Sequence, residues 1–164
     1  MTKQEQKVIR VYEESREDVY RYLLTLGLPA PQAQEATQEA FLRLYVMARR
    51  GEAIQNMRAW VFRVAHNHAV DLLARERSKP FEPELETILR DARPGVELEL
   101  IERERMEQLG KTWMTLSPQQ LQCLHLRAEG LVYREIAETM QISISSVREF
   151  LARAIARLQK AVYE

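Results

Sequence analysis

Apolar positions recur along this chain at steps of three and four, the spacing that gathers side chains on one face of an α-helix. Over residues 8–26, Val8, Tyr12, Val19, Tyr22, Leu23 and Leu26 mark one such face, and Gly27 and Pro29 supply a stop. A second helix is predicted from Pro31 to Arg50, with Ala33, Ala36, Ala40, Phe41, Leu44 and Met47 inward and Gly51 closing it. A third spans about Met57 to Arg77, with Val61, Phe62, Ala65, Ala69, Leu72 and Leu73 on its core side. Its other side carries Trp60, Arg63, Val64, Asn67, Asp71 and Arg75.

From residue 79 to about 96 the helical period lapses, and Pro80, Pro83, Pro94 and Gly95 break helices there. The stretch reads as a linker, with helix resuming near Val96. Beyond it, Ser117-Pro118-Gln119-Gln120 is a helix start: a Ser N-cap, a Pro at the first position and a Gln at the third answer the orphan backbone donors. That helix, Pro118–Ala128, is expected to turn Leu121, Leu124 and His125 inward and to stop at Gly130. A short helix from Tyr133 to Met140, the turn Gln141-Ile142-Ser143 and a helix to about Val162 then read as a helix-turn-helix. The last helix places Val147, Leu151, Ala154 and Leu158 toward the core. Ser145, Ser146, Glu149 and Arg153 point away, with Arg148 and Arg157 on the flanks. The fold predicted is all-α: two small helical domains joined by a flexible acidic linker, the C-terminal one a helix-turn-helix.

Composition agrees with helix, since the 164 residues include only 5 Gly and 6 Pro. No run of about 18 apolar residues is present, and Met1 to Lys7 lacks the apolar core of a secretory signal, so a cytoplasmic protein without membrane insertion is expected. A lone cysteine, Cys123, reads as a small buried hydrophobe. The net charge of zero, from 24 basic and 24 acidic residues, argues at first against a nucleic-acid partner. Its distribution reverses that reading: residues 1–80 hold 13 basic and 10 acidic side chains, 81–107 hold 4 and 9, and 108–164 hold 7 and 5. Two mildly basic domains flank an acidic joint, and such local excess suits a polyanion.

The polar stripe of the third helix mixes an indole, an amide and arginines, which can stack on bases, read their edges and hold phosphate. The same periodicity also fits Trp60 and Val64 covering a second hydrophobic contact while the charges are merely solvated. On the last helix, hydroxyls near the N-terminus let phosphate approach the backbone, Arg can reach guanine O6 and N7, and Glu can accept from cytosine N4.

With these residues in view, the chain resembles bacterial alternative sigma factors of the extracytoplasmic-function (ECF) group, the small two-domain members of the sigma-70 family. Gln32-Ala33-Gln34-Glu35-Ala36-Thr37-Gln38-Glu39-Ala40-Phe41-Leu42-Arg43-Leu44-Tyr45 is similar to that family's core-polymerase-binding stretch. Arg58-Ala59-Trp60-Val61-Phe62-Arg63-Val64-Ala65-His66-Asn67-His68-Ala69-Val70-Asp71 is similar to its −10-element segment, and Leu126 to Glu138 with Ser143 to Arg157 to its −35-reading helix-turn-helix.

The resemblance implies three domains of labour: residues 1–78 for core polymerase and the −10 element, 79–106 as acidic linker and lead-in helix, and 107–164 for the −35 element. It implies core contacts from Glu35, Gln38, Glu39, Phe41, Leu42 and Tyr45. For the −10 element it implies that Asn67 and the loop Gly51–Met57 before Trp60 receive a flipped base, Trp60 among the DNA contacts, with phosphates held by Arg58, Arg63, Arg75 and Arg77. For the −35 element it implies Ser145, Ser146, Arg148, Glu149 and Arg153. The partners implied are core RNA polymerase, promoter DNA and an anti-sigma factor, with no cofactor, no metal and no catalysis. Gln34-Glu35 stands where relatives often have Glu-Asp, one carboxylate fewer for the polymerase, and Phe150 and Ala152 lie where basic residues are frequent.

Three alternatives remain. A helix-turn-helix regulator would act without polymerase, which the core-binding stretch opposes. A helical adaptor would touch no DNA. A metal-dependent enzyme is suggested by His66-Asn67-His68, but two His at i, i+2 leave a helix on different sides and cannot share one ion.

Overall fold

In the computed structural model, residues 1–76 and 100–163 are described, and they contain seven helices and no strand. The helices are α1 (Lys3–Thr25), α2 (Ala30–Arg49), α3 (Met57–Arg75), α4 (Leu100–Thr115), α5 (Pro118–Ala128), α6 (Tyr133–Met140) and α7 (Ile144–Tyr163). Most of the expected linker, the helix start near Val96 and Arg77 lie outside the described residues. The chain divides into two units, one built on α1–α3 and the other on the helices that follow.

In the N-terminal unit each of the three helices packs on the other two. The inner face of α2 is lined by Ala33, Ala36, Ala40 and Ala48, small side chains that let neighbouring helices approach closely. Larger groups from α1 and α3 fill the space between: Tyr22, Leu23, Val61 and Phe62 are fully buried. Tyr22 meets Phe62 edge to face at 5.7 Å between centroids and stacks beside His66 at 5.9 Å. Its hydroxyl and His66 Nδ1 share a hydrogen bond of 2.7 Å. His66, 5% exposed, thus completes a core face that Leu72 and Leu73, only half-buried, do not.

Helix α1 starts five residues before its first buried apolar side chain, because Thr2 and Glu5 form a capping box: Thr2 Oγ1 accepts from the Glu5 amide at 3.1 Å and Glu5 Oε2 from the Thr2 amide at 3.0 Å. Polar residues before Val8 are thereby helical although no stripe marks them. At the far end of the unit, Gln32 Nε2 donates to Glu76 Oε1 at 3.1 Å and ties the start of α2 to the end of α3.

In the C-terminal unit α7 packs against α4 and α5. Its core holds Leu116, Cys123, Leu126, Leu131, Ile136, Val147, Leu151 and Ala154. On α5 the fully buried positions are Cys123 and Leu126, whereas Leu121, Leu124 and His125, expected inward, are half-buried. The inward arc of this short helix is therefore centred between the expected positions. Burial pushes the Cys123 thiol up to about 11, so it stays protonated and packs as a hydrophobe.

Both breaks around α6 use a left-handed residue whose neighbours return amides to the preceding helix. Gly130 (φ 93°) ends α5, with Leu131 N donating to Leu126 O at 3.1 Å. Gln141 (φ 57°) ends α6, with Ile142 N donating to Ala137 O at 3.1 Å. Its left-handed backbone is the one such conformation at a non-glycine among the described residues.

Burial also fixes a pH response. It lowers the His66 pKa from 6.5 to about 4, so the unfolded chain takes up a proton where the folded one does not. The stability due to neutral His66 is complete above pH ~6.5 and is lost as pH falls toward ~4, about 3 kcal/mol in all. Thermal melts of His66→Gln, which cannot titrate, should show a shallower loss of stability across that window than the unaltered protein. Equal slopes would assign the uptake of protons to other groups.

Candidate functional site

Each unit carries an outward face whose residues are chemically unlike its core. On α2, Glu35, Gln38, Leu42 and Tyr45 recur at steps of three and four and are all exposed. Leu42 is 57% exposed and Val46, beside it, 39%, a bare apolar stripe edged by carboxylates. Glu39 is half-buried and accepts from Arg43 Nε at 3.0 Å. Phe41, expected on this face, is instead 5% exposed. It lies one step around the helix, where its ring meets the Tyr12 ring at 5.2 Å and 89°. Tyr12, assigned by its spacing to the core, is half in the open and has the Arg16 guanidinium 5.4 Å from its ring centre. Tyr12 is thus apolar surface that the periodicity did not separate from core, and Ile9 of α1 and Val46 of α2 are exposed with it.

On α3, the stripe opposite the core is outward. Trp60, Arg63, Val64 and Asn67 are half-buried, and Asp71 and Arg75 are exposed. The helix is launched by Asn56, whose Oδ1 accepts from Ala59 N at 3.1 Å. The loop that leads to it leaves α2 through Gly51 at φ 78°. Arg58 does not join this stripe. Its Nη1 donates to Ser15 Oγ at 2.8 Å and to Asp18 Oδ2 at 3.1 Å, and its guanidinium carbon sits 5.1 Å from the Phe62 ring centre. His66 lies in the core and His68 outside it, so the two do not converge. Among the described residues no three His, Cys, Asp or Glu side chains gather as metal ligands.

On α7, Val147, Leu151 and Ala154 are buried while Ser145, Arg148, Glu149 and Arg153 are exposed and Ser146 is half-buried. Glu149 Oε1 and Arg153 Nη2 pair at 2.6 Å across one turn. Ser143 is the N-cap: its Oγ accepts from Ser146 N at 3.1 Å and donates to Ser146 Oγ at 2.9 Å. Ser143 is therefore consumed in starting the helix, and Ser145 is the exposed hydroxyl at its first turn. Arg157 turns from this face to α4, donating to the Thr115 carbonyl at 3.0 Å and hydroxyl at 2.6 Å. The lead-in helix is latched to the recognition helix by that side chain.

Comparison with known protein families matches sigma-70 region 2 to residues 11–79 and sigma-70 region 4 to residues 106–158. The chain belongs to the sigma-70 family. It is an alternative sigma factor, a subunit that binds core RNA polymerase and directs promoter-specific transcription initiation. Sigma factors of this family are non-enzymatic transcription factors. No curated protein matches the chain. Two solved structures are similar in fold. The sigma factor RpoE in complex with the anti-sigma factor NepR from Bartonella quintana aligns with a TM-score of 0.62 at 19% identity, covering 96% of this chain and 94% of that one. CnrH in complex with the cytosolic domain of CnrY aligns with a TM-score of 0.60 at 17% identity, covering 94% and 86%. Among the described residues of the sigma factor no helix is long and apolar enough to cross a membrane.

The cap of α7 is separable from its exposed polar face. Ser143→Ala should cost the C-terminal unit about 1 kcal/mol, read as a lower melting temperature. Ser145→Ala, which leaves the cap intact, should not shift it.

Proposed function

We propose that residues 1–78 of this sigma factor form its polymerase- and −10-binding half, 79–106 its acidic linker and lead-in helix, and 107–164 its −35-reading half. The observation that carries the DNA-reading role is the two-faced character of α7: Val147, Leu151 and Ala154 hold the fold while Arg148, Glu149 and Arg153 stand exposed on the opposite side. A helix so divided can enter a major groove without any loss of core. The Glu149–Arg153 pair pre-orients a guanidinium for guanine and a carboxylate for cytosine, and Ser145 and Ser146 lie where phosphate meets the helix N-terminus.

The exposed stripe Glu35, Gln38, Leu42 and Tyr45 docks on core polymerase, apolar in the middle and polar at the rim as protein interfaces are. Glu39 borders it, and Phe41 supports it from behind through Tyr12. On α3, Asn67 and Trp60 receive and stack a base drawn from the non-template strand of the −10 element, a step that costs a few kcal/mol of lost stacking and needs such a surface. Arg63, Arg75 and Arg77 hold the neighbouring phosphates. RpoE was captured with the anti-sigma factor NepR and CnrH with the cytosolic domain of CnrY, and the bare Leu42–Val46 stripe supports an anti-sigma factor as a partner here also. The protein works in the cytoplasm, with its DNA template.

Purified protein added to core RNA polymerase should be retained by it and should direct run-off transcription from a subset of promoters; failure to bind core would sink the reading. Asn67→Ala should reduce open-complex formation, scored by permanganate reactivity, with core binding intact. Arg153→Ala should relax base preference in the upstream element by about 1–3 kcal/mol, measured as relative affinity for single-base variants of a promoter. An unchanged preference would place Arg153 off the bases.

A further inference from the structure

Arg58 opens α3, two residues before Trp60, and its side chain runs inward along the unit instead of out with the stripe. Ser15, which accepts its shortest hydrogen bond, is 2% exposed. Asp18, which accepts the other, is itself held from the opposite side by Arg21 Nη2 at 3.0 Å. The planar guanidinium is further sandwiched against the Phe62 ring, one turn along α3. Three groups, Ser15 and Asp18 of α1 and Phe62 of α3, therefore contact this guanidinium, and Arg21 steadies one of them. The same first turn is started by the Asn56 cap and buries Met57 and Ala59, so the Arg58 contacts add polar ties to an apolar seat.

We infer that Asp18 and Ser15 of α1 are positioning residues for −10 recognition: by clasping Arg58 they set the first turn of α3, and with it Trp60 and the loop 52–56, and Arg58 is the clasp and not a phosphate contact. The inference rests on α3 being the −10 surface. A loop that must hold an extruded base has to be fixed at both ends. Gly51 shapes its departure from α2, and the Arg58 clasp fixes its arrival against α1. Asp18 and Ser15 need touch no DNA for this.

The two roles for Arg58 predict opposite signs. A phosphate-binding Arg58 is restrained by Asp18, so Asp18→Asn would free the guanidinium and tighten DNA binding, and Arg58→Lys would serve nearly as well as a point charge. A clasping Arg58 loses its charged acceptor in Asp18→Asn and its forked geometry in Arg58→Lys, so both should impair promoter opening about tenfold.

The test uses reconstituted holoenzyme and a promoter that the unaltered protein transcribes. Core affinity, permanganate reactivity of the −10 region and binding of the single-stranded non-template −10 segment are measured for Asp18→Asn, Arg58→Lys and Ser15→Ala at a temperature where each is folded. Expected are wild-type core affinity, weaker opening and weaker single-strand binding in the first two, and the same direction at smaller size in Ser15→Ala. The salt dependence of DNA binding should keep its slope, since no phosphate contact is removed. Tighter DNA binding in Asp18→Asn, no change, or a parallel loss of core binding would each overturn the inference; should Asp18→Asn not fold, Ser15→Ala alone decides by its sign. If the unaltered protein opens no promoter, the reading of α3 itself fails instead.

Discussion

Tyr22 is the joint on which the N-terminal unit turns. Its ring is wholly buried where α1 meets α3, edge-on to Phe62 and stacked beside His66, and its hydroxyl is satisfied by the imidazole. A buried hydroxyl without a partner would be costly, and a buried imidazole could not remain there charged, so the two polar groups make each other's burial tolerable. Because α3 is seated by this contact on one side, its other side carries the polar and aromatic groups Trp60, Arg63 and Asn67, each half-buried, without any of them entering the core.

The C-terminal unit reaches the same end by different means. Its short helices cannot be stable alone, and their terminations matter as much as their packing. Ser117 with Gln120 starts α5, Gly130 ends it, Glu135 Oε1 accepts from the Val132 amide at the start of α6, and Gln141 ends that helix in a left-handed conformation. Each device satisfies amides or carbonyls that a bend would otherwise orphan. Together they fix the turn before Ile144, and so the angle at which the reading face of α7 is presented. Arg157, bonded to Thr115, extends that control to α4.

Much of the candidate site was legible because reading faces and core faces alternate on amphipathic helices. The outward positions of Ser145, Glu149 and Arg153 follow from spacing, while Glu35 and Leu42 came from the resemblance. Phe41 was placed inward by its spacing, against the resemblance, whereas Tyr12 and Arg58 did not follow. Phe41 and Tyr12 sit at the border of their stripes, where one step of 100° separates contact from solvent, and each ring's place is set by the other. Arg58 is polar and near a polar stripe, so its sequence position suggests the surface. Its actual direction depends on Ser15 and Asp18, forty residues away along the chain.

The amino-acid sequence by itself determined most of the helices, the Ser117 cap, the helix-turn-helix and the family, because these depend on local periodicity, on capping chemistry and on short motifs in order. It also placed the neutral total charge as a balance between basic ends and an acidic middle. Only the tertiary structure decided that His66 is a core group hydrogen-bonded to Tyr22, that the Phe41 ring meets Tyr12, and that Arg58 is clasped by α1. These are pairings between distant segments, and a side chain's direction there is chosen by whichever partner the packing brings within hydrogen-bonding or van der Waals distance.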